Sequence, residues 1–451
     1  MSFFTVHHQS SKSRARLGSI QTDHGTIQTP AFVPVGTKGT IKGLTQEQIK
    51  NLHVQLSFVN TYHLVTHPGV EVLQSAGGVH KYAHYSIPLM SDSGGFQVFS
   101  LAQRQKEVGI KEKNSAKNVM RGWIPASAGM TNNMVGMTNN MVGITNNKRI
   151  GILRATDTGL GTLATPFDMK EQPLVEKISE DGVLFRSVYD GQLINFTPET
   201  SMDFQRIIGA DINMAFDECT YYSATHEYAE KAMERTHEWL KRCIAQSKNI
   251  TLLTTNYQLP TTIHQFLYGI IQGGTYEDLR KKSAEFVVAQ NTPGVAIGGV
   301  SVGETKEEMR KQVEWVAPYL PVDRPVHLLG VGHIDDIVDL VKYGIDTFDC
   351  VEPTRVARMG TAYQTEAVMA HLEGKLLPYE IDVKKMMYKT DLSPLDALCS
   401  CSTCVNYSKS YLHHLFKQRE LLGYTLLSYH NLFVMERVME RIKGLVQSGR
   451  V

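Results

Sequence analysis

Short apolar runs recur along the chain, and most of them end on a polar residue or a glycine. They are Thr29 to Gly36, Leu56 to Asn60, Ile87 to Asp92, Asp211 to Asp217, Phe266 to Gln272, Gly294 to Gly299, Val326 to Gly330 and Ile345 to Cys350. Each is too short for a core helix and is apolar along its length rather than alternating. That is the pattern of parallel strands covered on both faces. Between them lie stretches with helical spacing. Thr45 and Gln48 make a capping-box pattern, as do Thr305 and Glu308. A long helix is predicted from Thr225 to Gln246, another opening at Thr275, and a shorter one from Ile334 to Lys342. Strands alternating with helices predict βα units, and eight strands are the number that closes a (β/α)8 barrel.

The polar ends give this reading its functional content. Asn60, Asp92, Asp217, Gln272, Gly299, Gly330 and Asp349 each fall at the C-terminal end of a predicted strand. In a (β/α)8 barrel those ends meet on one face, where the active site lies. One such aspartate is an ordinary strand cap. Three of them, with a glutamine and close-approach glycines, describe a site. After the eighth strand Pro353 is expected to stop regular structure, which leaves Arg355 and Arg358 in a loop beside Asp349.

Two segments depart from the α/β rhythm. Residues 102–173 contain M-T-N-N-M-V-G, its direct repeat and then I-T-N-N, between Met130 and Asn147. This low-complexity tract has no apolar face for a core, and it reads as a long, poorly ordered insertion after the third strand. The tail carries Cys399-Ser-Cys401-Ser-Thr-Cys404, a helical stretch from Tyr407 to Leu422, and a final amphipathic helix after His430. The expected organisation is a catalytic barrel over 1–101 and 174–385, the insertion over 102–173, and a zinc-binding subdomain with a C-terminal helix over 386–451.

The 451 residues are 42% hydrophobic and 20% charged, ordinary for a globular chain, with a net charge of +1. No global field draws such a chain to nucleic acid, so a polyanion site must be a local patch. Such a patch is available from Arg355 and Arg358 together with Lys409, Lys417, Arg419, Arg437, Arg441, Lys443 and Arg450. The first thirty residues hold no apolar signal core, and no run reaches membrane-span length, so a cytoplasmic location and no membrane partner are expected.

Three clustered thiols without a secretion signal point to metal. C-x-C-x2-C plus a histidine completes a closed tetrahedral zinc shell of the structural kind. His413, His414 and His430 all follow Cys404, and spacing does not choose among them. On the barrel face, two carboxylates at a sugar C1′ can divide the labour of glycosyl transfer, one attacking and one moving protons. Asp349 and Asp92 are the candidates. Asp217 beside Gln272 suits the two donors and the carbonyl of a purine edge, and Gly298-Gly299 lets backbone touch a flat ring. Phe96 could stack on that ring, although a core role fits it equally.

These residues carry a resemblance. S-D-S-G-G-F-Q-V-F-S (Ser91 to Ser100), F-D-E-C-T (Phe216 to Thr220), Y-G-I-I-Q-G (Tyr268 to Gly273), G-G-V-S-V-G-E (Gly298 to Glu304), F-D-C-V-E-P-T-R (Phe348 to Arg355) and the cysteine motif resemble bacterial tRNA-guanine transglycosylases, in the family's order. The resemblance implies a homodimeric barrel enzyme with one structural Zn2+ per subunit. It would exchange the wobble guanine in the anticodon loop of G-U-N tRNAs for 7-aminomethyl-7-deazaguanine. It implies Asp349 as nucleophile and Asp92 as general acid/base. Asp217, Gln272, Gly299 and Val300 would hold the base, Phe96 would stack on it, and Cys219 and Val302 would shape a pocket for an aminomethyl group. Arg355 and Arg358 would touch anticodon uridines. The same resemblance makes His430 the fourth metal ligand, with Cys399, Cys401 and Cys404. The chain departs from the family in having Val300-Ser301 where Leu-Ala is usual, in stopping somewhat early, and in the insertion, which could obstruct tRNA docking.

Two other readings compete. A metal-dependent barrel hydrolase, such as a nucleobase deaminase, needs paired histidines at strand ends, where this chain offers mainly carboxylates. A non-catalytic or insert-inactivated RNA-binding homologue of the same family needs no Asp349, yet Asp349 is present.

Overall fold

In the computed structural model, which describes residues 2–95, 175–187, 189, 191–248, 264–374 and 377–451, all eight apolar runs form strands of one parallel sheet. The chain opens with an antiparallel sheet that the apolar runs do not signal: β1 (Phe4–Gln9), β2 (Arg16–Thr22) and β3 (Gly25–Thr29). The first barrel strands follow as β4 (Ala31–Pro34), β5 (Ser57–Val59) and β6 (Leu89–Ser91). A second antiparallel sheet, β7 (Val175–Ser179), β8 (Gly182–Arg186) and β9 (Leu193–Phe196), comes next. The barrel then resumes with β10 (Ile212–Met214), β11 (Phe266–Ile271), β12 (Gly294–Ile297), β13 (Val326–Leu328) and β14 (Thr347–Cys350).

Neighbours in the barrel run β4-β14-β13-β12-β11-β10-β6-β5. A parallel bridge between Val35 and Phe58, with Gly36 N–H donating to Phe58 O at 2.7 Å, joins the two ends. Alternation sorts the side chains. Val33, Phe58, Met90, Met214, Ile270 and Ala296 point inward and form one cluster, closed below by Phe4, Ile20 and Ile27 of the first sheet. Phe32, Val59, Leu89, Ile297, Val326 and Phe348 point outward into a second cluster with the helices. Each such aliphatic side chain contributes about 1.5–3 kcal/mol by leaving water.

The helices follow their caps. Thr45 and Thr305 both make full capping boxes, with Gln48 and Glu308. The long helix runs His226–Lys248. The helix expected to open at Thr275 starts at Glu277 instead, after Tyr276, which makes no side-chain cap. The stretch from Ile334 is α-helical to Leu340 and then tightens to a 3-10 turn over Val341–Tyr343.

Pro353 does not stop regular structure. It occupies the first turn of a helix over Glu352–Arg358, where a missing N–H removes no intrahelical bond. Arg355 and Arg358 therefore stand on a helix rather than in a loop. Beyond it, β15 (Thr361–Tyr363) pairs with β16 (Glu380–Asp382). The expected helix from Tyr407 to Leu422 is broken. It runs Lys409–Gln418 and ends at Arg419, which takes φ +59°. The final helix starts earlier than the amphipathic pattern suggested, at Leu421, and continues to Gln447. His430 is inside it and fully buried, because the barrel and the cysteine segment cover this helix on several sides. Residues 102–173, expected to be an insertion, lie outside the described residues.

Candidate active site and metal centre

The C-terminal ends of the barrel strands open into one pocket of about 770 Å³, measured out to its mouth. Asp92, Asp217 and Asp349 all line it, with Gln272, Gly299, Val300 and Cys219. With Asn60, Gly298 and Gly330, which also line it, the structure thus brings together ten of the residues selected from sequence. Val302 follows in the same loop but is not in the wall. Phe96 lies outside the described residues. Arg355 and Arg358 stand beyond the pocket, on the helix after β14.

Asp92 follows β6 and is tied to the tip of β5. Its Oδ1 accepts from Thr61 N–H at 2.7 Å and from Gly94 N–H at 3.2 Å, and its Oδ2 accepts from Asn60 Nδ2. Asp349, at the end of β14, accepts through Oδ1 from Gly330 N–H at 2.9 Å, and His327 Nε2 is 3.1 Å from the same oxygen. Asp217 lies just past β10. Its carboxylate accepts from Gln272 Nε2 at 2.7 Å and from Ser93 Oγ at 3.0 Å. Burial raises its pKa from the ordinary 3.8 to about 6. The two hydrogen bonds oppose that rise, and the nearby Asp92 and Glu218 add to it.

The loop after β12 is shaped by residues not selected from sequence. Gly299 has φ +61°, and a Cβ there would collide with Gln272 Oε1. Arg280 is fully buried on the preceding helix. It donates to Gly298 O and Gly299 O, both at 2.5 Å, to Gly274 O at 2.7 Å and to Gln312 Oε1 at 2.8 Å. Burial pushes this guanidinium down to about 10. Fixing both carbonyls fixes the direction of the peptide between them. Glu304 does the same for the next turn, accepting from Ser301 N–H and, at 2.9 Å, from Val302 N–H. Gln272 Oε1 is buried against Gly299 with no partner among the described residues. Burial also pushes the Cys219 thiol well above its ordinary range, which keeps it a neutral wall.

At the rim, Lys42 is half-buried near Arg358 and Lys38. Burial first, and then these two cations, lower it to about 8. Arg358 is itself lowered to about 10 by burial and by Arg355, and its buried Nη1 has no partner among the described residues.

Below the last helix, Cys399, Cys401, Cys404 and His430 converge in a buried group whose ligand atoms lie within 4.8 Å of one another. The three sulfurs are 3.6, 3.5 and 3.3 Å from His430 Nδ1. Zn–S near 2.3 Å and Zn–N near 2.05 Å on a tetrahedron require an S···N edge of about 3.6 Å. The donor set and its spacing therefore fit a four-coordinate metal. His430 Nε2 is 2.7 Å from Tyr363 O, a contact that places the proton on Nε2 and leaves Nδ1 as the ligand atom. His413 is excluded, because its Nδ1 is 2.9 Å from Val383 O instead. The other metal-capable group among the described residues, His24, His80 and Asp211, contributes nothing to the pocket wall, and neither does the cysteine group.

The profile of the family described as queuine tRNA-ribosyltransferase matches residues 10–120 and 149–451. The unmatched stretch, 121–148, contains the repeat. A queuine tRNA-ribosyltransferase of Caldanaerobacter subterraneus subsp. tengcongensis is 36% identical over 448 residues, 99% of this chain and 94% of its own. That of Thermoanaerobacter pseudethanolicus is 38% identical over 441 residues, covering 98% and 92%. That of Lysinibacillus sphaericus is 36% identical over 444 residues, covering 98% and 92%.

Proposed function

The chain belongs to the queuine tRNA-ribosyltransferase family, and on that premise we propose that it is a tRNA-guanine transglycosylase of queuosine biosynthesis that works by double displacement. It takes G-U-N anticodons, those of the tRNAs for aspartate, asparagine, histidine and tyrosine. It replaces their wobble guanine with 7-aminomethyl-7-deazaguanine.

The residues carry the steps as follows. Asp217 accepts two purine N–H donors, and Gln272 offers its second amide proton to the purine carbonyl. Gly299 and Val300 contribute backbone contacts, and Cys219 and Val302 shape the space for the aminomethyl group. Phe96 stacks on the ring. Asp349 Oδ2 attacks C1′ while the C1′–N9 bond breaks, and the departing guanine takes a proton at N9 from Asp92. In the return step Asp92 accepts the N9 proton of the incoming base. N9 then attacks C1′, and the bonding pair returns to the Asp349 carboxylate. Arg355 and Arg358 hold the anticodon uridines.

The observation that carries this reading is that three carboxylates from separate strand tips line one purine-sized pocket. A metal hydrolase would need paired histidines there, but no described histidine lines the pocket, and His63, the histidine just past β5, has its Nδ1 on Tyr189 OH at 3.0 Å. Cys399, Cys401, Cys404 and His430 would hold one structural Zn2+ per subunit, which with four protein ligands would tie the tail together rather than take part in the chemistry. The barrel over 1–101 and 174–385 is then the catalytic unit, 102–173 an insertion and 386–451 the zinc-binding part.

Homodimerisation is supported by apolar residues left in water on the tail. Leu392 and Val405 are 80% and 70% exposed beside stacked Tyr407 and Tyr411. No described helix is long and apolar enough to cross a membrane, which accords with a cytoplasmic location.

The test is incorporation of radiolabelled guanine into tRNA. Wild type exchanges, and Asp349→Ala gives neither exchange nor a covalent RNA adduct. Exchange at the wild-type rate by Asp349→Ala overturns the assignment. No exchange by wild type, with RNA still bound, marks the chain as a non-catalytic homologue.

A further inference from the structure

A histidine beneath the pocket has no place in the scheme above. His327 is the central residue of β13, and its neighbours Val326 and Leu328 point outward into the helix layer. By alternation His327 points into the barrel, where it is fully buried. The parallel register pairs it with Thr347 of β14, and Phe348 faces outward between Thr347 and Asp349. Thr347, Asp349 and His327 therefore share the inner face. His327 Nδ1 is 2.8 Å from Thr347 Oγ1, and Nε2 is 3.1 Å from Asp349 Oδ1. The Phe58 ring stacks on the imidazole, with centroids 6.0 Å apart and planes at 19°.

The bonding partners fix the tautomer. An ionised carboxylate only accepts, so the Nε2 facing it carries the proton. Nδ1 is then a bare acceptor and takes the Thr347 hydroxyl proton. Gly330 N–H donates to the same Asp349 oxygen. Two donors converge on Oδ1, and among the described residues none is bonded to Oδ2.

We infer that His327, oriented by Thr347, is a positioning residue that holds Asp349 Oδ1 and thereby presents Oδ2 as the attacking atom. The inference rests on the reading of Asp349 as nucleophile. When Oδ2 bonds to C1′ and C1′–N9 breaks, Oδ1 becomes the carbonyl oxygen of the glycosyl ester. When the second base attacks, the C1′–Oδ2 bond breaks and the electron pair returns to the carboxylate. His327 Nε2–H donates to Oδ1 at both stages and transfers no proton. Without it the carboxylate is held by Gly330 N–H alone and can rotate about its bond to Cβ, so that either oxygen faces the sugar at varied angles. Reaction geometry of this kind is sensitive to small displacements.

The experiment is steady-state guanine exchange into tRNA by four variants of the full chain. A hydrogen bond to a charged group is worth roughly ten- to hundredfold in rate. His327→Leu should lose that factor in kcat with the KM for guanine unchanged, because the base is recognised elsewhere. His327→Gln keeps a donor at the reach of Nε2 and should recover kcat to within a few-fold of wild type. Thr347→Val, which keeps the shape and removes the hydroxyl, should lower kcat by several-fold and serves if His327→Leu does not fold. Asp349→Asn should abolish exchange, and its result judges the nucleophile separately. Wild-type kcat in His327→Leu or in Thr347→Val overturns the inference. So does a glutamine variant as slow as the leucine one when both bind guanine normally.

Discussion

Guanine binding should weaken on acidification because Asp217 must be ionised to accept two N–H donors. Its site opposes that ionisation. The carboxylate is 5% exposed, and burial raises its pKa from 3.8 to about 6. That displacement corresponds to about 3 kcal/mol held against the charged form. The folded protein binds this proton more tightly than the unfolded chain does, so Asp217 lowers stability as the pH rises from about 4 to about 6. A purine that supplies two donors favours the charged form and so releases a proton when it binds below pH 6.

Affinity for guanine should thus be flat above pH 7 and fall by roughly tenfold by pH 5, the ratio a single group titrating at about 6 dictates. Calorimetric titration in two buffers of different ionisation enthalpy counts the proton. Release should approach one per site near pH 5 and vanish at pH 8. In Asp217→Asn the affinity should be weak, the pH dependence absent, and the fold more stable than wild type at pH 8 by up to about 3 kcal/mol. Guanine affinity unchanged between pH 8 and pH 5, or proton uptake on binding, would refute the reasoning.

Other outcomes follow from the same geometry. Gly299→Ala puts a methyl group against Gln272 Oε1 at φ +61°, and should weaken guanine binding by about a hundredfold while circular dichroism stays unchanged. Cys401→Ala should release the metal, read by elemental analysis, and loosen the tail, read by proteolysis after residue 385. Unchanged metal content would count against the assignment. Lys42→Ala should weaken tRNA binding and flatten its salt dependence by about one ion, with guanine affinity intact; an unchanged salt slope would remove Lys42 from the RNA contact. Deleting 121–148, the stretch the family profile does not match, should leave guanine exchange within a few-fold of wild type, and loss of exchange in a folded deletion protein would show that the stretch contributes.

What could be read from the sequence and what could not divide along a physical line. Eight strands were legible because burial on both faces makes each an unbroken apolar run, and Asp92, Asp217 and Asp349 stood out because a carboxylate ending such a run is costly unless it is used. The same logic misled at Pro353. A proline breaks a helix in its interior but not in its first turn, and only the position of Glu352 as the first helical residue tells the two apart. The first sheet stayed hidden because β1 buries only Phe4 and leaves the rest of the strand wholly or partly in water, so it carries almost no apolar signal. Arg280 and His327 were illegible for a different reason. Each looks like an ordinary helix or strand residue, and its meaning lies in partners contributed by another element: the Gly298 and Gly299 carbonyls for one, Thr347 and Asp349 for the other.

Asn431 makes the same point at the level of the whole molecule. It follows the metal-group histidine, donates to Pro353 O at 3.0 Å and to Thr361 O at 3.1 Å, and accepts from Tyr363 N–H at 3.0 Å. One buried amide therefore ties the metal group to the helix that carries Arg355 and Arg358, which itself begins directly after the Asp349 strand. A metal bound at this group would therefore bear on where the arginines stand, although none of its ligands is in the pocket wall. Its removal should then weaken tRNA binding well before it affects guanine binding, since Asp217, Gln272 and Gly299 are held by the barrel and owe nothing to the tail.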